Sequence, residues 1–218
     1  MVITETNIHF RIMKTLNISL SAVLAVLFSV IVVTSCSRTD RFAGEWQGQP
    51  ERIDIPEASN ATATVTIDFA PSGSRDGSGN VLLSAVIEVQ QPVSRDNPFN
   101  QAYEASVAAT ASVSGRYIAE EGDDDDIMVS FDPSSMQVMV DPDGVTYSSN
   151  ILTGTPTATL DSMTAATADH WRVILTPVMR DIFNRYTVID DIEVHHNDML
   201  RCEIAKKDLV FSRVGVPD

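Results

Sequence analysis

Basic residues are scarce in this chain. Fifteen Lys and Arg stand against 30 Asp and Glu, giving a formal charge of −15. Binding nucleic-acid phosphates needs a concentrated basic patch, and none is visible, so a nucleic-acid partner is not expected. Cysteine is almost absent: Cys36 and Cys202 are too few for a disulfide-dense scaffold. Catalytic signatures are missing too. There is no Gly-x-Ser-x-Gly, no His-Glu-x-x-His and no phosphate-binding glycine loop. No nucleophile with a base and no acid–base pair can be assembled, so neither an enzyme nor a cofactor is expected. The length allows one domain, or at most two small ones.

The long apolar run lies at the start. Ile18 to Val33 is interrupted only by Ser19, Ser21 and Ser29. Its 16 residues are short for a membrane span, which needs about 20. Arg11 and Lys14 precede it and small residues follow, the order of a secretory signal. A membrane anchor helix is the competing reading. The run ends Val33-Thr34-Ser35-Cys36, which resembles the lipobox of bacterial lipoproteins. The resemblance implies a signal peptide over 1–35 (its true start Met1 or Met13), lipidation of Cys36, and a lipidated tether over 36–41. Ser37-Arg38 lacks an acidic residue next to the cysteine. By resemblance to lipoprotein sorting, that implies an outer-membrane address, with the face left open. Lipidation would leave Cys202 as a lone thiol, so stability must come from the core.

The remainder, 42–218, reads as strands with one helical interruption. Thr62 to Phe69 alternates, with Val65, Ile67 and Phe69 on one face, as a half-buried strand does. Val81 to Val89, Tyr103 to Ile118, Ile127 to Phe131, Met136 to Val140, Tyr186 to Val194, Met199 to Ile204 and Leu209 to Val214 are further strands. Pro71 to Asn80 is a loop by composition and Gln90 to Asn100 a connection. Glu120 to Asp126 and Asp141-Pro142-Asp143-Gly144 read as turns, and Gly115 as a bulge or bend. Polar turns at regular spacing predict a meandering antiparallel sheet. Met163, Ala166, His170, Ile174, Val178 and Ile182 recur at spacings of three and four, predicting a helix over about 160–184 with Asp161 as its N-cap. Pro177 predicts a kink or a second start. A strand over Trp171 to Thr176 competes with it.

Gly44-Glu45-Trp46, near the domain start, resembles the Gly-x-Trp motif of the lipocalin-like (calycin) barrels. The resemblance implies an eight-stranded barrel in which Trp46 closes one end and Arg213, from the last strand, packs across it. It also implies an internal cavity for a small apolar ligand. A helix ahead of the last three strands departs from that family, where the helix follows the eighth strand.

Several residue groups are candidates for binding. Tyr103, Ala105, Val107, Ala109 and Ala111 share one strand face; such small side chains leave either a ligand cavity or room for a bulky neighbour such as Trp171 or Phe69. Asp191, Glu193 and His195 point one way on a strand, but spacing of two separates them by about 6.6–6.8 Å, too far to converge on an ion. Asp123 to Asp126 and Asp141-Pro142-Asp143-Gly144 share only charge or a fragment with calcium loops. No metal site is expected. Cys202, between Leu200 and Ile204, reads as a buried, inert thiol. Two functions remain open: an anchored barrel holding an apolar ligand, or an interaction module of an envelope complex.

Overall fold

The computed structural model describes residues 39–73, 76–95, 102–120, 123–148, 155–196 and 198–215. The signal segment, the lipobox and Cys36 lie outside these residues. Ten strands form one antiparallel sheet: β1 (Gly44–Gly48), β2 (Glu51–Arg52), β3 (Asn60–Pro71), β4 (Gly79–Ser94), β5 (Tyr103–Glu120), β6 (Asp123–Phe131), β7 (Gln137–Tyr147), β8 (Val188–His195), β9 (Met199–Ile204) and β10 (Lys207–Arg213). Eight of them close a barrel in the order β1-β10-β9-β8-β6-β5-β4-β3, with β1 pairing back onto β3. β2 hangs on β3 and β7 on β5. The expected antiparallel barrel with a helix before the last three strands is the fold observed.

Alternation explains the walls. Val81, Leu83, Ala85, Ile87 and Val89 of β4 are all at most 3% exposed, while the residues between them face water or are half-buried. β5 does the same from Tyr103 to Val113. Inward apolar residues on paired strands form one continuous core.

Several boundaries differ from those predicted, for identifiable reasons. β4 runs on to Ser94, through most of the segment read as a connection, and the acidic stretch Asp123–Asp126 belongs to β6. β7 extends through Asp141-Pro142-Asp143-Gly144, which is a register irregularity opposite Val107 and Ala109 and not a chain reversal. There the Asp141 carboxylate accepts a hydrogen bond from the Asp143 amide at 2.9 Å. Gly115 is not a bulge: it pairs in register with Val81 and Phe131. A Cβ there would lie 2.6 Å from the Ser130 carbonyl oxygen. It stands where β5 exchanges one partner for another, with β7 pairing up to Ser112 and β6 from Gly115 onward.

Helix α1 (Thr157–Phe183) is a single helix of 27 residues, neither split at Pro177 nor a strand over Trp171 to Thr176. Its N-cap is Pro156, not Asp161. Pro177 removes only the hydrogen bond to the Val173 carbonyl. Val173 is 68% exposed, so water can take that carbonyl at little cost. The buried stripe is Ala168, Trp171, Leu175, Met179 and Ile182. Ile182 belongs to the predicted stripe as well, and Met163, Ile174 and Val178 of that stripe lie half-buried at its edge, while Ala166 and His170 lie outside. Both series have helical spacing, but burying Trp171, Leu175 and Met179 removes more apolar area from water.

α1 lies across β7 and β5. The Tyr147 hydroxyl meets Thr167 Oγ1 at 3.0 Å, and the Trp171 indole donates to the Gln91 side-chain oxygen at 3.2 Å. The helix thus packs its buried stripe against β7 and β5. A short 3-10 turn, Asn184–Thr187, then carries the chain into β8.

Candidate functional site

β10 has two halves with different neighbours. Over Phe211 to Arg213 it pairs with β1: Phe211 with Gly48, Ser212 with Gln47, Arg213 with Trp46. Over Lys207 to Val210 it pairs with β9 alone. The cause lies in β1, which ends at Gly48 and is followed by Gln49-Pro50. Proline has no N–H to give to a ladder. The chain resumes as β2 farther along the same edge of β3, paired with Thr62 and Ala63. Among the described residues β2 and β10 do not pair with each other, and the barrel wall splits between them.

The paired half is sealed. Trp46 is fully buried, and its indole donates to the Phe42 carbonyl at 2.8 Å. The Arg213 guanidinium lies 4.2 Å from the ring centre and donates to the Ala43 carbonyl at 3.0 Å. Gly44 makes room for this. Its φ is +106°, and a Cβ there would lie 2.9 Å from the Arg213 side chain. Phe42, Phe69 and Tyr117 pack below in tilted and edge-on pairs, with ring centres 5.0–6.0 Å apart. Each such pair contributes about 0.5–1.5 kcal/mol beyond burial. Packing begins at Thr39, which is fully buried in the segment read as tether.

The split half opens a cleft of about 580 Å³. That is within the range of about 300–1,000 Å³ typical of small-molecule sites. Its floor is apolar: Ile53, Ala63 and Val65 from the β2–β3 side, Ile204, Leu209 and Phe211 from β9 and β10, and Ile182 and Tyr186 from the end of α1 and the turn after it. Charged groups ring it. Lys207 donates to Glu51 at 2.5 Å across the split, and Arg52, Arg185 and Asp208 stand around it. Both partners of the ion pair are well exposed, so it contributes at most about 1 kcal/mol. Tyr186 is 6% exposed, and burial first, then the Glu51 charge, pushes its phenol well above the ordinary range.

The residues singled out in the sequence lie elsewhere. Tyr103, Ala105, Val107, Ala109 and Ala111 are buried, at 2–7% exposure, on the inner face of β5. None of the five lines the cleft. The Tyr103 ring packs edge-on against Tyr147, 5.6 Å between centres. Gln91, which pairs with Ala105, bonds Trp171, so the space these small side chains leave lies beside the bulky face of α1. The cleft was missed because its parts come from four stretches of chain; the one local sign was Pro50, just after the strand that carries Trp46.

The polar candidates are dispersed. His195 bonds Glu193 at 3.1 Å, and Asp191 sits at a register break with φ +52°. Arg41 pairs with Asp125, and Asp126 accepts the Asp191 amide at 2.9 Å. Asp190 is held above the usual carboxylate range by burial and by Asp126 and Asp191. Among the described residues no cluster of three acids, histidines or cysteines could hold a metal. Cys202 is buried, and burial pushes its thiol up to about 12. At neutral pH it is a thiol, not a nucleophilic thiolate.

No protein-family model matches the chain, and comparison with curated proteins and with solved structures also returns no match.

Proposed function

We propose that this protein is an envelope lipoprotein, anchored to the outer membrane through Cys36, whose barrel holds a small apolar ligand in the cleft between β2 and β10. The observation that supports ligand binding is the cleft itself: about 580 Å³ with an apolar floor, where β2 and the first half of β10 do not pair with each other. The kinship proposed is with the lipocalin-like barrels, on the stacking of Arg213 over Trp46 beside Gly44. The anchor rests on the sequence alone, on the apolar run and Val33-Thr34-Ser35-Cys36. Cys36→Ala should release the protein from the membrane fraction; retention would contradict lipidation. For the cleft, the purified full chain should bind the neutral probe N-phenyl-1-naphthylamine. Ala63→Trp, which fills the floor, should abolish that binding with the far-UV spectrum unchanged. Undiminished binding would overturn the assignment.

A second reading is a docking module without a ligand. It is supported by an exposed apolar stripe across three neighbouring strands. Ile118 pairs with Met128 and Met128 with Val188, and all three are 44–53% exposed. Loss of envelope association in Met128→Glu, together with no probe binding by the native chain, would favour it.

A further inference from the structure

We propose that the cleft selects its ligand by the head group, and that the occupant is a single-chain amphiphile with an anionic head. This rests on the reading of the cleft as a site for apolar ligands. Acids outnumber bases two to one in the whole chain, yet around the cleft the balance reverses, with Arg52, Arg185 and Lys207 against Glu51 and Asp208. A cation-rich mouth in an acidic protein raises the local concentration of anions and lowers it elsewhere.

The alternation of the strands places these groups. Lys207 shares the face of β10 that carries Leu209 and Phe211, and Glu51 stands opposite the inward Ala63. Their ion pair therefore spans the split over the apolar floor. Asp208 lies on the opposite face of β10, and Arg52, next to Glu51, on the opposite face of β2; both are exposed, which leaves Arg185 and Lys207 against Glu51 at the floor. Arg185 and Tyr186 are neighbours in the chain, and both line the cleft together with Glu51 and Lys207. Among the described residues, Arg185 has no ion pair or side-chain hydrogen bond, and the Tyr186 hydroxyl has no hydrogen-bond partner. A guanidinium, an ammonium and a phenol around an apolar floor match a carboxylate or phosphate on an alkyl chain. A neutral or cationic head would leave the guanidinium unpaired as water is displaced.

Competition against N-phenyl-1-naphthylamine on the purified full chain tests this, with palmitate, hexadecanol and hexadecylamine as competitors below their aggregation limits. Palmitate should displace the probe at about tenfold or more lower concentration than hexadecylamine, because hydrogen bonds between ionised partners are the strong ones. Arg185→Gln combined with Lys207→Gln should abolish that preference while leaving hexadecanol unchanged. Glu51→Gln, which frees Lys207, should strengthen palmitate binding, a gain that a misfolded variant could not produce. Equal displacement by all three competitors, or preference for the amine, would overturn the head-group inference with the cleft intact. Failure of the probe to bind at all would overturn the cleft reading, and this inference with it.

Discussion

Two stretches of the same strand divide this barrel. Phe211 and Ser212 are paired with both β1 and β9, and Arg213 with β1, while Lys207 to Val210 pair with β9 alone. The sealed stretch pairs with three consecutive residues of β1, Trp46 to Gly48, and the open one faces the break at Gln49-Pro50. The consequences differ in kind. At the seal, buried aromatics and a stacked guanidinium convert closure into stability. At the split, apolar side chains that no neighbouring strand covers form the floor of a cleft, and charges collect at its mouth. The same wall thus supplies a rigid joint and, a few residues away, a place for a ligand. The contrast predicts that substitutions at the seal act on folding and substitutions at the split act on binding.

The largest effect is expected at the seal. Trp46→Ala should cost about 3–5 kcal/mol, read as a fall in the urea midpoint, since it empties the centre of a packed core. Probe binding by the fraction that still folds should be unchanged. A loss of less than about 1 kcal/mol would break the comparison. Next comes Arg213→Met, which keeps the stem and removes the guanidinium. It should cost about 1.5–3 kcal/mol, for the stacking and the bond to the Ala43 carbonyl together. In a double-substitution cycle with Trp46→Phe the two should be non-additive. Glu51→Gln, at the split, should change stability by less than about 1 kcal/mol, because it breaks only an exposed pair.

The smallest effect concerns pH. Asp190 is raised in the fold by burial and by Asp126 and Asp191, so its ionised form is disfavoured there relative to the unfolded chain. That penalty is full above its folded pKa and vanishes below the ordinary carboxylate value. Asp190→Asn should therefore be slightly more stable than the native chain at neutral pH. The advantage should shrink as the pH falls through the carboxylate range. A growing advantage on acidification would contradict the sign.

Much of the fold was legible because half-buried strands write their geometry into a period of two. β9 matches its predicted limits, Met199 to Ile204, because Leu200, Cys202 and Ile204 alternate with polar residues between polar turns. Arg213 over Trp46 was legible through the resemblance of Gly44-Glu45-Trp46 to a barrel motif, with the parity of the last strand pointing to Arg213. Asp141 to Gly144 misled because a bulge uses the same residues as a turn. The helix stripe was displaced because two interleaved series satisfy one period, and only side-chain size decides between them. The cleft was the least legible part. It arises where a strand stops, and its floor is drawn from segments more than 150 residues apart, Ile53 and Phe211 among them. The small side chains of β5 invited a cavity there, but α1 brings Trp171, Leu175 and Met179 into the interior.

The most direct test is an NMR titration of the isotope-labelled chain with N-phenyl-1-naphthylamine. The backbone amides of Ile53, Val65, Leu209 and Phe211 should shift together and saturate. The Trp46 indole N–H, held on the Phe42 carbonyl, should stay in place, as should the amides from Ala105 to Ala111. Shifts confined to β5, with the residues around the split unmoved, would contradict the assignment of the cleft as the ligand site.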